Sequence, residues 1–171
     1  MENPMNNFFF IPVSFVTALV VFGFAAKWYY WPWATRVSFK DAATPILLMN
    51  ATRFIGLGFL VPGLVSSELS PFFSTAAAGG DMLAAGLALL ALAMVRLELP
   101  GAKVAVWVAT IEGFADFVDA YVLGFTYAKP ELLQGMYFIP TFLAPLLMVS
   151  EVVLFGLLIR RSATMKLAAA A

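Results

Sequence analysis

Cysteine and histidine are both absent from this chain. The first absence excludes disulfides, iron–sulfur clusters and thiol catalysis. The second removes the usual haem and zinc ligand, and the usual general base near neutral pH. Charge is scarce too. Only 12% of residues are Asp, Glu, Lys or Arg, and they sum to zero; a soluble domain carries about twice that share. No basic run suggests nucleic acid, and no acidic tail is present. With so little polar surface the chain cannot cover a water-soluble fold, so lipid must solvate much of its exterior. Any chemistry must rest on carboxylates, Arg, Lys, Tyr or hydroxyls, and neither a cofactor nor a metal is expected.

What is abundant is apolar: 63% of the 171 residues are hydrophobic, with a mean hydropathy of +0.93. A membrane-spanning helix needs about 20 such residues in a row. Five runs qualify: about Phe8–Tyr30, Ala42–Val65, Thr75–Val95, Val104–Phe125 and Met136–Ile159. They are continuous rather than alternating, which excludes a membrane barrel. The expected fold is therefore all-α, a five-helix membrane bundle forming one domain over residues 1–165. The ending Lys166–Ala171 reads as a vector-derived tail, and the first run lacks the basic flank of a cleaved signal peptide. Ser66–Ser74, with Pro71, Phe72 and Phe73, is expected to lie as a loop along the interface.

Lys and Arg placement predicts orientation. Arg36, Lys40, Arg96, Lys103, Arg160 and Arg161 fall on one side and only Lys129 on the other. The positive-inside rule puts the N-terminus outside and the C-terminus in the cytoplasm, in an inner membrane. Trp28, Tyr29, Tyr30, Trp31 and Trp33 would form an aromatic belt at the inner surface.

Six ionisable groups fall inside the runs: Arg53, Asp81, Glu112, Asp116, Asp119 and Glu151. Facing lipid, an Arg or Asp at a helix centre costs about 2.5–3.5 kcal/mol on insertion scales, so these groups are expected to face the bundle interior or a wet cavity. Glu112, Asp116 and Asp119 are spaced i, i+4, i+7, which places them on one stripe of the fourth helix. Asp81 shares a face of the third helix with Ala84, Ala85 and Ala88, small residues that let backbones approach. Asn50 and Arg53 share a face of the second. On the fifth, Glu151 lies beyond Pro145, which should kink the helix and free a carbonyl.

Counted from the predicted cytoplasmic ends, Arg53 lies about 18 Å deep and Glu112 and Glu151 about 14 Å. The expected arrangement is an ion-paired floor of Arg53, Glu151 and Asn50, with Arg53 pairing to Glu112 or Glu151. Above it, Glu112, Asp116, Asp119 and Asp81 would form an acidic vestibule opening outward, a site for a proton, cation or polar ligand. Closely spaced carboxylates in a low dielectric cannot all be ionised, so some are expected to carry a proton or hold a cation.

Five spans in this length resemble the translocator-protein family, and buried acids resemble the type of site in the sterol-isomerase and sigma-2-like group. No motif carries either resemblance, and no residue role is transferred. Three functions remain. The leading one is a proton- or cation-linked carrier or conduit for a small polar substrate. The others are a binder or enzyme for a lipid-like molecule using a protonated carboxylate, and a non-catalytic subunit of a larger membrane assembly. No catalytic set is assigned, and binding or transport is expected ahead of catalysis. The partners expected are the bilayer, a small-molecule or lipid ligand and other membrane subunits, with no nucleic acid.

Overall fold

A long apolar run away from water must satisfy its backbone within itself, and the helix does so. The computed structural model describes the backbone of residues 4–169 and the side chains of residues 9–160; the proposed tail at 166–171 lies outside the described side chains. The protein is 86% helical, with no strand among the described residues. Helix α1 (Pro4–Ala25) passes through a π segment (Ala26–Tyr30) into the short α2 (Trp31–Ala34). Helix α3 (Phe39–Ala51) continues as a 3-10 helix over Thr52–Leu60. Helices α4 (Pro71–Arg96) and α5 (Ala102–Tyr127) follow. Two 3-10 turns (Pro130–Leu132, Gln134–Tyr137) and a second π segment (Ile139–Leu143) then lead into α6 (Ala144–Ala169).

Among the described residues four helical stretches are long and apolar enough to cross a membrane: Phe9–Ala34, Phe39–Leu60, Pro71–Arg96 and Gln134–Arg160. Helix α5 matches them in length at 26 residues. However, every 18-residue stretch within it contains Glu112, Asp116 and Asp119, so its composition does not mark it as a span. The architecture is that of a helical membrane bundle.

Local chemistry sets the helix boundaries. Helix α3 starts three residues before the expected Ala42 because Ser38 caps it. The Ser38 hydroxyl accepts the Asp41 amide at 3.1 Å and donates to Asp41 Oδ2 at 2.7 Å, satisfying a donor that the helix leaves open. Its 3-10 continuation ends at Leu60, short of the expected Val65, where Pro62 and Gly63 (φ +86°) turn the chain. Pro71 does not sit in an interfacial loop. It occupies the first turn of α4, where a missing amide costs nothing, so Phe72 and Phe73 are helical. Between α4 and α5 the turn closes with Glu98 (φ +55°) and Gly101 (φ +85°) in the left-handed region. Leu99 and Glu98 return their amides to Met94 and Val95, which caps the α4 carbonyls.

Each π segment comes one residue before a proline, Pro32 and Pro145. At the second, the Ala144 amide reaches back five residues to Ile139. Pro145 has no amide for the next bond in that pattern, so the Pro140 carbonyl is freed, and the Tyr121 hydroxyl of α5 donates to it at 3.2 Å. The expected unpaired carbonyl therefore exists and is met by protein.

Helices α3 to α6 pack together, and α1 lies outside them against α6; no residue from Phe9 to Trp33 is buried. On α4, Ala84, Ala85 and Ala88 are buried as the pattern predicts, allowing close helix approach. One apolar cluster (Ala42, Ile46, Leu47, Ala91, Val106, Leu154, Leu157, Leu158) fills the end of the bundle that carries Arg36, Lys40, Lys103 and Arg160. We call this the basic end. A second cluster (Phe59, Leu69, Phe73, Leu133, Met136) fills the far end. The charged residues lie between the two.

Candidate functional site

A cation in an apolar bundle must find counter-charges, and Arg53 finds two. Its side chain is buried at 1% exposure. Nε donates to Asp81 Oδ1 at 2.9 Å, Nη1 to the Gly113 carbonyl at 3.0 Å, and Nη2 to Asp116 Oδ2. The guanidinium carbon lies 4.1 Å from the centre of the Phe117 ring, a cation–π contact strengthened by desolvation. One arginine thus ties the α3 extension to α4 and α5, using the planar fork that lysine lacks.

The 3-10 geometry makes this possible. With three residues per turn, positions i, i+3 and i+6 align, and Arg53, Gly56 and Phe59 are the buried residues of Thr52–Leu60. Gly56 faces the Asp81 carboxylate, and a Cβ there would lie 2.6 Å from Asp81 Cβ. Gly80 stands in the same relation to the Asp116 carboxylate. A Cβ at Gly113 would come 2.7 Å from Glu151 Oε1 and 3.3 Å from Arg53 Nη1. Three glycines therefore hollow out the room that the ion pairs occupy. Sequence reading missed Gly56 and Gly113, and Phe117 as well. The available signal was a glycine beside or one turn from each charge: Gly80–Asp81, Glu112–Gly113 and Arg53 to Gly56.

The expected pairing of Arg53 with Glu112 or Glu151 is not what forms; the ion-pair partners are Asp81 and Asp116. The reason is level. Counted along the observed helices from the basic end, Arg53, Asp81 and Asp116 lie about 21–22 Å in, and Glu112 and Glu151 only about 14–15 Å. The capped start at Phe39 adds a turn beneath Arg53 that the count from Ala42 left out. Asn50, also one turn nearer the basic end, does not join the pair; it donates to the Ser150 hydroxyl and the Ile46 carbonyl, each at 3.1 Å.

The remaining acids divide into two sets. Glu151 is buried at 3% exposure. Its Oε2, Glu112 Oε2 and Asn50 Oδ1 are buried without a hydrogen-bond partner. Each such oxygen costs about 1–3 kcal/mol, so each calls for a proton or a bound group. Asp119 is different: it is exposed on the outside of α5. The stripe Glu112–Asp116–Asp119 borders a groove of 340 Å³ between α4 and α5, whose apolar wall includes Phe73, Leu83 and Leu123. Leu83, Ala115 and Asp119 on its rim are exposed. The groove therefore runs along the flank of the bundle, from the level of Glu112 to Phe73 and Leu123 at the far end, with an exposed rim. Among the described residues no three acids gather closely enough to hold a metal ion.

A bundle of spanning-length helices, tied by a buried arginine–aspartate cluster and carrying an acidic groove in its flank, has the architecture of a small helical membrane protein. The chain belongs to the family described as a domain of unknown function, DUF8737, whose model matches residues 10–159. No curated protein and no solved structure matches it.

Proposed function

We propose that this is an inner-membrane protein of five spans, N-terminus outside and C-terminus in the cytoplasm, whose flank groove binds the cationic group of a small or amphiphilic ligand in competition with protons. The observation that carries this reading is the groove between α4 and α5. Arg53 already engages Asp116 together with Asp81, which leaves Glu112 and Asp119 to meet an incoming charge. The apolar wall suits a hydrocarbon portion, and the exposed rim at Leu83, Ala115 and Asp119 gives a ligand access from the flank of the bundle. A carboxylate out of water attracts an ammonium far more strongly than one in water. The carrier reading draws support from Glu112 Oε2, Glu151 Oε2 and Asn50 Oδ1, buried oxygens without a hydrogen-bond partner, of which Glu112 lines the groove.

The test uses the purified protein in a neutral detergent, with tetraphenylphosphonium as probe and tetraphenylmethane as its uncharged counterpart. The phosphonium is expected to bind, to release protons on binding, and to bind more weakly as pH falls. The titrating groups around it are Glu112, Asp116, Asp119, Asp81 and Glu151, with Arg53 the fixed cation. Glu112→Gln with Asp119→Asn leaves the Arg53 pairs in place and should weaken binding by about tenfold or more, roughly 1.4 kcal/mol per decade. Equal binding of the uncharged compound, or an unaltered affinity in the double variant, would refute the reading.

Orientation is tested separately. The convergence of Arg36, Lys40, Lys103 and Arg160 at one end supports a cytoplasmic basic end. A reporter active only in the cytoplasm should be silent when fused before the N-terminus and active after the C-terminus. The reverse result, or activity at both ends, sinks the five-span orientation.

A further inference from the structure

A second cavity lies at the basic end, far from the acidic groove. It measures 730 Å³, and Arg36, Lys40, Lys103 and Arg160 line it from three separate parts of the chain. Among the described residues its wall has no carboxylate; Glu98 stands outside it, 2.7 Å from the Lys40 ammonium. That ammonium holds the exposed Glu98 carboxyl below the ordinary glutamate range. Two helices also begin at the cavity. Phe39 and Lys40 belong to the first turn of α3, and Ala102 and Lys103 to that of α5. Helix N-termini present amides and a partial positive charge to an anion. The start of α5 is capped by Gly101, which brings no side-chain acceptor to its amides.

The positive-inside rule places cations at this end but does not require them to surround one cavity. Nor is the cavity purely polar, since Phe39 and Leu157 form part of its wall. Its volume far exceeds a bare phosphate and falls in the range of sites for drug-sized ligands, about 300–1,000 Å³. Exposed Trp28 and Trp33 mark the same level as the membrane interface, where such aromatics anchor. Basic pockets between spanning helices on the cytoplasmic side suit anionic headgroups.

We propose that this cavity binds a phosphate-bearing anion, and that its source is the headgroup of an anionic phospholipid. The phosphate meets Lys103, Arg160 and Arg36 and the α5 amides, while the glycerol and upper acyl carbons lie on Phe39 and Leu157. Lys40 exchanges its bond to Glu98 for one to the phosphate.

The full-length protein in neutral detergent is titrated with phosphatidylglycerol, phosphatidylcholine, glycerol 3-phosphate and inorganic phosphate, and lipid retention is read by native mass spectrometry alongside thermal stability. Phosphatidylglycerol should be retained and raise Tm, and phosphatidylcholine should do neither. Lys103→Gln with Arg160→Gln should weaken the anionic lipid about tenfold or more. Lys27→Gln, a cation of the same interface outside the cavity wall, should leave it unchanged. Retention of both lipids alike, or an equal loss from Lys27→Gln, overturns the site. An equal Tm rise from glycerol 3-phosphate or inorganic phosphate overturns the lipid source and assigns the phosphate to a soluble ester. Unchanged phosphonium binding in the Lys103/Arg160 variant keeps this result separate from the acidic groove.

Discussion

Arg53→Met is expected to cost about 3–5 kcal/mol of stability, enough to unfold much of the protein in detergent. The loss comes less from the arginine than from what it leaves behind. Asp81 and Asp116 would stay largely buried without a counter-charge, the Gly113 carbonyl would lose its donor, and the Phe117 ring its cation. Because the penalty is one of unpaired charge, it should be partly reversible. Adding Asp81→Asn and Asp116→Asn to Arg53→Met removes the uncompensated carboxylates, and replacing a buried ion cluster entirely is often neutral or better. Folded yield by gel filtration and thermal unfolding should therefore rank wild type above the triple variant, and the triple variant above Arg53→Met. A single variant as stable as wild type would mean that the cluster contributes nothing to the fold. A triple variant no better than the single one would mean that shape, rather than charge, holds these helices.

Gly56→Ala is expected to destabilise by about 1–3 kcal/mol, the usual cost of overpacking, although alanine is the better helix former by roughly 1 kcal/mol. The new methyl would fall on the Asp81 carboxylate and 2.6 Å from Asp81 Cβ. Rotating the carboxylate cannot clear a clash with Cβ, so the two helices must separate, and the ion pair opens with them. Two other glycines provide contrast. At Gly58 the methyl meets the end of Met136, with Sδ at 2.7 Å, a flexible side chain that can move aside. At Gly86 nothing lies within 4 Å, and Gly86→Ala should be neutral or stabilising. Unfolding midpoints for the three variants should place Gly56→Ala well below the others. If all three coincide, Asp81 is not held against Gly56.

Much of the bundle was legible in the sequence because apolar continuity is a strong signal. The runs became helices, and the Ala84–Ala85–Ala88 face is buried. The need of Arg53 for a carboxylate was legible from desolvation alone. Which carboxylate was not. That depended on one turn of level, set by the Ser38 cap, and on a change of helix type after Ala51 that apolar residues do not announce. The direction of the acidic stripe was also beyond reach: i, i+4, i+7 spacing places Glu112, Asp116 and Asp119 together but does not say which neighbour they face. Asp116 turned inward to Arg53, while Asp119 remained on the exposed side. The glycines were visible throughout, but their purpose appears only when two helices cross.

The 3-10 extension Thr52–Leu60 also behaves as a screw thread. Relaxed into α-helix, those nine residues would shorten by about 4.5 Å and unwind by about half a turn relative to Ala51. The rotation accumulates along the segment. Relative to Ala51, Arg53 would turn through about 40°, Gly56 through about 100° and Phe59 through about 160°. In that form the glycine and the ring would turn away from the aspartates much further than the cation.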